Sequence, residues 1–541
     1  MTKKTVVAPM RVVVAFSIAL SILGLAHPST ALERSQTHTS LSDAPSVKLH
    51  VTFKRKTMEL HGQSEFDIYA SPVVSANGVS VLYNSYTTFH DGDSEFTYTM
   101  MDGSAYVTTT DASDAETVRC LPANSLPFDK ILPALNAATP IPSASIGDKS
   151  VECASGNLFR TTFAGAHYAI CAEGETGFTA YSSDLDIAVE YLDGPVNVEK
   201  PDLTHGSISC KPVEKATSLT PTALALASGG KFPSSTSRVL KEAAHMEVGA
   251  TTCETCPSAP RPCIFLHGSG NPNEVAELQD TPKLTKSKYG DMHGHAPCCS
   301  EIKYAVMDTT TAGWRNDTLH RKFCDHSLSM SSTSDVAAGI IDNTIIVTHS
   351  MGGIVMAHAL AKGACKFSDT TSWVALSSTM TGTMASDYLT DVCKNEVSNV
   401  AVGLLEVIGQ CPVSKARHST VYQGGKYSTP SVDAAYVAAQ EAYRGNVAAA
   451  MCSDSYTGLF SLYQSPSILS GVAVPHKSRR NDGLVEFQSC LGGLDENLFG
   501  NHWSDRFYRP QLNHADTAFL TGEGVLKNSQ KPHKWFECLE L

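Results

Sequence analysis

Ser350 stands in the run Ile345-Ile346-Val347-Thr348-His349-Ser350-Met351-Gly352-Gly353-Ile354-Val355. β-Branched residues lead into the serine, two glycines follow it, and the alanine-rich stretch 354–361 reads as a helix. A serine on so sharp a strand-to-helix bend is pushed out above the sheet, where its hydroxyl can act as a nucleophile. Gly352 lets the helix stay close to the strand, and the Met351 N–H lies where negative charge on an attacked carbonyl oxygen would form. Such a hydroxyl is weak alone: it needs a base, and the base needs a group to orient it. His514 and His502, each preceded by asparagine, are the candidate bases. Asp482, Asp454 and Asp505 are the candidate acids. Asp482 lies in Asn481-Asp482-Gly483-Leu484-Val485, behind a strand-like Val472-Ala473-Val474. His514 follows a strand-like Arg506-Phe507-Tyr508 and precedes residues 515–520, which read as the start of a final helix. His349 points from the bend itself, so it reads as packing or pocket lining. Upstream, the apolar run 262–266 enters His267-Gly268-Ser269-Gly270, a loop whose glycines allow backbone N–H groups to face a carbonyl oxygen.

Together these motifs resemble the α/β-hydrolase superfamily, and secreted lipases and esterases within it. That family's elbow is usually G-x-S-x-G, often G-H-S-M-G-G; here Thr348 stands where the family most often has glycine, and a β-branched residue crowds the turn. The resemblance covers about residues 261–520. It implies an α/β-hydrolase fold, that is, a mostly parallel sheet with flanking helices and a cap insertion. It implies that acid and histidine follow the serine in that order, which selects Asp482, in a D-G-[LV]-V-type loop, and His514, in an N-H-x-D segment. It implies Ser269 N–H as the second oxyanion donor beside Met351, with His267, Gly268, Gly270, His349, Gly352 and Gly353 supporting the motifs. The activity implied is hydrolysis of carboxylic esters with lipase-like acyl groups through an acyl-enzyme, with no organic cofactor and no metal. An acyltransferase or glycolipid deacylase using the same triad is one alternative, and a non-catalytic binding protein of the same fold is another.

These residues need a scaffold. Between residues 47 and 200 the hydrophobic period is two: Phe96, Tyr98 and Met100 alternate with Thr97 and Thr99 before an Asp102-Gly103 hairpin turn, and Leu185, Ile187, Val189 and Tyr191 alternate further on. This predicts a β-rich antiparallel module preceding the α/β domain, with one plausible helix over residues 126–138. A curved sheet with an apolar concave face would hold a lipid; a plain interaction module fits the pattern equally. Residues 211–262 are rich in Ala, Ser, Thr and Pro and read as a linker, helical only around 239–246. Residues 263–541 form the expected catalytic domain, with a cap insertion at about 380–465.

Composition bounds the rest. The chain has 541 residues, 42% hydrophobic and 18% charged, an ordinary folding composition, and its formal net charge of −13 argues against nucleic acid as a partner. Lys3, Lys4 and Arg11 precede an apolar run over 12–26 and then small residues, so residues 1–31 read as a secretory signal, too short in its apolar part for the ~20 residues of a span. The expected chain is secreted, with no integral span after signal removal and transient contact with a lipid surface. Of sixteen cysteines, Cys120, Cys153, Cys171 and Cys210 precede residue 211 and the others start at Cys253, so pairing within each half is expected. His293, His295, Cys298 and Cys299 lack the second C-x-x-C or H-x-x-x-H that a zinc site would need, and no metal is assigned to them. Asn316-Asp317-Thr318 is a glycosylation sequon.

Overall fold

Two sheets organise the chain, and the larger is antiparallel. The computed structural model describes residues 40–121, 128–203, 210–233, 245–248, 253, 255–395 and 408–541. The expected signal at 1–31 and most of the helical stretch expected at 239–246 lie outside them. In spatial order the large sheet runs Glu116–Cys120, Ser104–Thr110, Ser94–Met101, Ser80–Asp91, Glu65–Val74, Ser46–Phe53, Leu185–Leu192, Gly177–Tyr181, Ala166–Ala172, Leu158–Phe163 and Thr139–Pro140, with Thr217–Ser218 added against Ser80–Asp91. Every neighbour pair in it is antiparallel; most join consecutive strands through short connections, whereas Ser46–Phe53 pairs with the distant Leu185–Leu192. Asp102 and Gly103 form one such turn: both have positive φ (49° and 76°), and Met101 pairs with Ser104.

The second sheet has eight strands in the order Val275–Gln279, Cys299–Val306, Arg261–Leu266, Ile345–His349, Ser372–Leu376, Val447–Met451, Phe507–Tyr508 and Phe499–Gly500. It is mixed, since its first pair is antiparallel and the others parallel. Alternate residues of its central strands enter two separate cores. Ile264, Leu266, Ile346 and Ala375 face one, and Cys263, Phe265, Ile345, Val347 and Val374 face the other. Helices Asp317–Leu328, Met351–Ala361 and Pro430–Asn446 bury the first face; Tyr289, Phe519, Trp535 and Phe536 bury the second. Apolar residues on both faces of each strand require cover on both sides.

This architecture overturns the expected fold class. An α/β-hydrolase fold would make a parallel sheet and its helices the body of the chain. Here the twelve-stranded antiparallel sheet is the largest element, the second sheet is mixed, and residues 39–541 form one compact unit, so the class is mixed α and β. The motifs that pointed to the hydrolase fold are short and local; strand order and the relative weight of the two sheets arise from long-range pairings those motifs do not encode. The segment expected to form a cap divides in two: Thr383, Ser386, Ile408, Arg417 and Thr420 line the pocket at Ser350, and its longest helix lies elsewhere. Helix Pro430–Asn446, started by Thr429 and Pro430, buries Tyr436, Ala439 and Tyr443 against the core beside Met351–Ala361 and covers the sheet rather than the serine. Smaller readings also differ. Val472 and Ala473 end the helix Gln464–Ala473, and Ser470 on that helix donates to Gly483 O at 2.5 Å, so tertiary contact prevails over β propensity. Met246–Val248 is a strand paired parallel with Ala144–Ile146.

All sixteen cysteines are paired, and no pair crosses between the early four and the later twelve. Cys253 and Cys256 do not bridge each other but reach Cys538 and Cys298. Cys298 and Cys299 are thereby both consumed in disulfides. Among the described residues no helix is long and apolar enough to cross a membrane.

Candidate active site

Ser350 sits where strand Ile345–His349 ends and helix Met351–Ala361 begins. Its backbone is at φ 56° and ψ −130°, a conformation an L-residue adopts only when its surroundings enforce it. The enforcement is visible. Ser350 N–H donates to Leu376 O at 2.9 Å, and Gly353 N–H donates back to Ser350 O at 3.1 Å. Gly352 lies so close to the end of the neighbouring strand Arg261–Leu266 that a Cβ there would be 2.8 Å from the carbonyls of Leu266 and His267. A Cβ on Gly353 would strike the Ser378 side chain. Thr348 does not obstruct the bend, because its side chain lies on the strand and accepts the Trp373 indole N–H at 2.9 Å.

The His267–Gly270 loop passes beside the serine. A Cβ on Gly268 would be 2.7 Å from Ser350 Cβ, so only glycine permits the approach. His267 is fully buried, and burial lowers its pKa to about 4. Met307 N–H donates to its Nε2 at 3.2 Å, which leaves Nδ1–H to donate to Gly268 O at 2.9 Å. Thr309 hydroxyl donates to the same carbonyl at 2.8 Å. With that carbonyl held on one side, the trans peptide turns Ser269 N–H to the other. Ser269 and Met351 both line the pocket at Ser350, and Met351 N–H belongs to the first helical turn, where no intrahelical acceptor exists. Gly270 N–H is used by Thr309 O and closes the loop.

His514 lines the same pocket as Ser350. Its Nδ1 is 2.8 Å from Asp482 Oδ2, and its backbone N–H donates to Asp482 O at 2.9 Å. Asp482 is presented by its own turn: Leu484 and Val485 N–H donate to Oδ1 at 3.0 and 2.7 Å, leaving Oδ2 for the imidazole. Burial works to raise the Asp482 carboxyl, but the His514 charge, its hydrogen bond and the two backbone donors outweigh it and hold the pKa below the usual carboxylate range. His514 is clamped from its flanks, where Asn513 N–H donates to Asp516 Oδ2 at 2.9 Å and Asp516 N–H donates to Asn513 Oδ1 at 3.1 Å. His349 is buried, its ring centroid 4.5 Å from that of His514, and its Nε2–H donates to His514 O at 3.1 Å. Burial, and then the charge on His514, lowers the pKa of His349 well below the ordinary value, so it stays neutral and holds the main chain of His514.

The rivals are elsewhere. Asp454 faces Arg480 and Arg509, Asp505 accepts His502 N–H at 2.8 Å, and His502 Nδ1 is 2.8 Å from Ser504 Oγ. Asn316 is exposed and caps helix Asp317–Leu328 through Oδ1, so the sequon opens on the surface.

Three residues enter the site that sequence reasoning did not single out. Lys288 Nζ donates to Ser269 O at 2.9 Å, and Arg417 lines the pocket while donating to Ile408 O. Burial, with Arg417 nearby, lowers Lys288 to about 8, and burial lowers Arg417 to about 10, so both are cations at neutral pH beside Gly270 of the His267–Gly270 loop. Thr379 also lines the pocket, and its buried hydroxyl has no hydrogen-bond partner among the described residues. In sequence the two cations look like solvated charges in polar loops; nothing in the pattern separates them from the surface. The pocket itself has a volume of about 30 Å³, room for about one water, and Ser269, Thr379, Thr383, Ser386 and Thr420 give it hydroxyl-bearing walls.

No protein-family model matches this sequence, and no curated protein matches it.

Proposed function

We propose that the protein is a secreted serine hydrolase that cleaves carboxylic esters through an acyl-enzyme. The observation that carries this reading is the His514–Asp482 hydrogen bond of 2.8 Å on the wall of the pocket that contains Ser350. With Nδ1 engaged by Asp482, Nε2 is the nitrogen left to take the Ser350 proton as Oγ attacks the ester carbonyl. Asp482 stays ionised and stabilises the imidazolium. N–H groups of Ser269 and Met351 receive the oxyanion, and the buried charges of Lys288 and Arg417 add to the positive potential there. His514 then protonates the leaving alcohol, and water, activated by the same histidine, releases the acid. The small hydroxyl-lined pocket favours a short acyl group over a long chain. The paired cysteines support the extracellular setting.

A fluorophosphonate probe and a p-nitrophenyl ester series from acetate to palmitate test the proposal on wild type and on Ser350→Ala, Asp482→Ala and His514→Ala. Labelling at Ser350 and loss of turnover in all three variants are expected. Full esterase activity in Ser350→Ala refutes the reading. Transfer of the acyl group to an added alcohol in preference to water identifies an acyltransferase with the same residues.

A further inference from the structure

We infer that the antiparallel sheet is itself a binding site for an amphiphile with a single acyl chain, separate from Ser350. One face of the twelve-stranded sheet lines a cavity of about 220 Å³ whose exposed walls are almost entirely apolar. The alternation of the strands makes it so: Leu49 and Val51, Phe66 and Ile68, and Ile187 and Val189 are i, i+2 pairs that all point to this one face. Helix Ile131–Asn136 covers part of it through Ile131, Ala134 and Leu135. Apolar cavities of about 150 Å³ already stay dry and accept benzene-sized ligands, so a larger one of this composition offers water nothing and a hydrocarbon chain much.

The cavity abuts a polar space. Leu60, Phe460 and Val525 line it and also line an adjoining cleft of about 530 Å³ whose other walls include Lys56, Asp91, His293 and His295. At the junction a hydrogen-bonded chain runs from Asp91 through His61 to Tyr98: His61 Nδ1 is 3.3 Å from Asp91 Oδ2, and Nε2 is 2.9 Å from Tyr98 Oη. Asp91 and His61 face the cleft, whereas Tyr98 faces the cavity. An apolar chamber set against a polar one, with Leu60, Phe460 and Val525 common to both, has the chemistry of an acyl tail joined to a polar head. The walls of this cavity and those of the Ser350 pocket have no residue in common, so the inference stands apart from the proposed hydrolysis.

The test is titration of the full chain with cis-parinaric acid, followed by displacement with palmitic acid, 1-palmitoyl-lysophosphatidylcholine and butyric acid. One site per chain is expected, displaced by the two palmitoyl ligands and not by butyrate; whichever of the two displaces better tells a free acid from a phospholipid source. Affinity rises about fourfold per methylene between C10 and C16 acids. Ala180→Trp and Ala134→Phe, which fill the cavity, weaken binding at least tenfold, while Ser350→Ala binds as wild type does. Absence of saturable binding in wild type overturns the inference, as does unchanged binding in a cavity-filling variant that keeps the wild-type circular dichroism and Tm. Should neither variant fold, photo-crosslinking of wild type with a diazirine-bearing palmitic acid decides: labels on the cavity walls, within residues 46–192 or at Phe460, Val525 or Leu526, support the inference, and labels confined elsewhere overturn it.

Discussion

Two of the spaces in the molecule have opposite chemistry. Around Ser350 the space is about 30 Å³, walled by hydroxyls and backed by two buried cations; under the antiparallel sheet it is about 220 Å³ and apolar. The difference follows from how each is built. The Ser350 pocket is made of loops and helix ends, where unpaired N–H groups and hydroxyls converge. The other is made of strand faces, where backbone polarity is spent in the ladder and only side chains remain to line the space. A loop-built space suits bond breaking, and a strand-built one suits holding a chain.

If the polar space is where reaction occurs, Ser350→Ala lowers ester turnover by on the order of 10⁴–10⁶-fold, measured as kcat/KM on p-nitrophenyl acetate. Wild-type turnover in that variant would erase the contrast. Gly268→Ala is next in size. Its methyl would overlap Ser350 Cβ and displace the Ser269 donor, so roughly 10²–10³ in kcat is expected at an unchanged fold. A filled apolar cavity makes the converse case: Ala180→Trp leaves short-ester turnover within twofold of wild type while lipid binding falls, and a large loss of turnover would show the two spaces to be one site.

The smallest effect concerns stability. Burial, only partly offset by three donors, raises Asp516 from its ordinary 3.8 to about 7. A carboxyl raised on folding contributes stability in full below its unfolded pKa and loses it as pH climbs through the folded value, so stability falls between about pH 4 and pH 7. Asp516→Asn flattens that slope in denaturant titrations at a series of pH values, and a slope identical to wild type would contradict the assignment.

The elements around the serine were legible because their signals are local. A β-branched run, a serine and two glycines specify a bend within a few residues, and Asn481-Asp482-Gly483 specifies the turn whose geometry frees Oδ2 for His514. The alternation of Phe96, Tyr98 and Met100 likewise marks one face of a strand. The fold class was misread for the converse reason. Strands Ser46–Phe53 and Leu185–Leu192 pair across more than a hundred residues, and their union makes one sheet out of two runs of hairpins. No motif near the serine carries information about that pairing.

From sequence alone came Ser350 on its bend, the glycine loop at 267–270 and a short set of candidate acids and histidines, since each depends on neighbours a few bonds away; the choice of Asp482 and His514 among them came from the resemblance. Distance decided everything else. Lys288 and Arg417 become site residues only because the chain brings them beside the Ser269 loop, Asp482 and His514 meet at 2.8 Å only because two loops converge, and an apolar chamber exists only because strands distant in the chain share one sheet face. Those are properties of contacts between residues far apart in the chain, and residue order specifies them through the energy of the whole fold rather than through any pattern short enough to read.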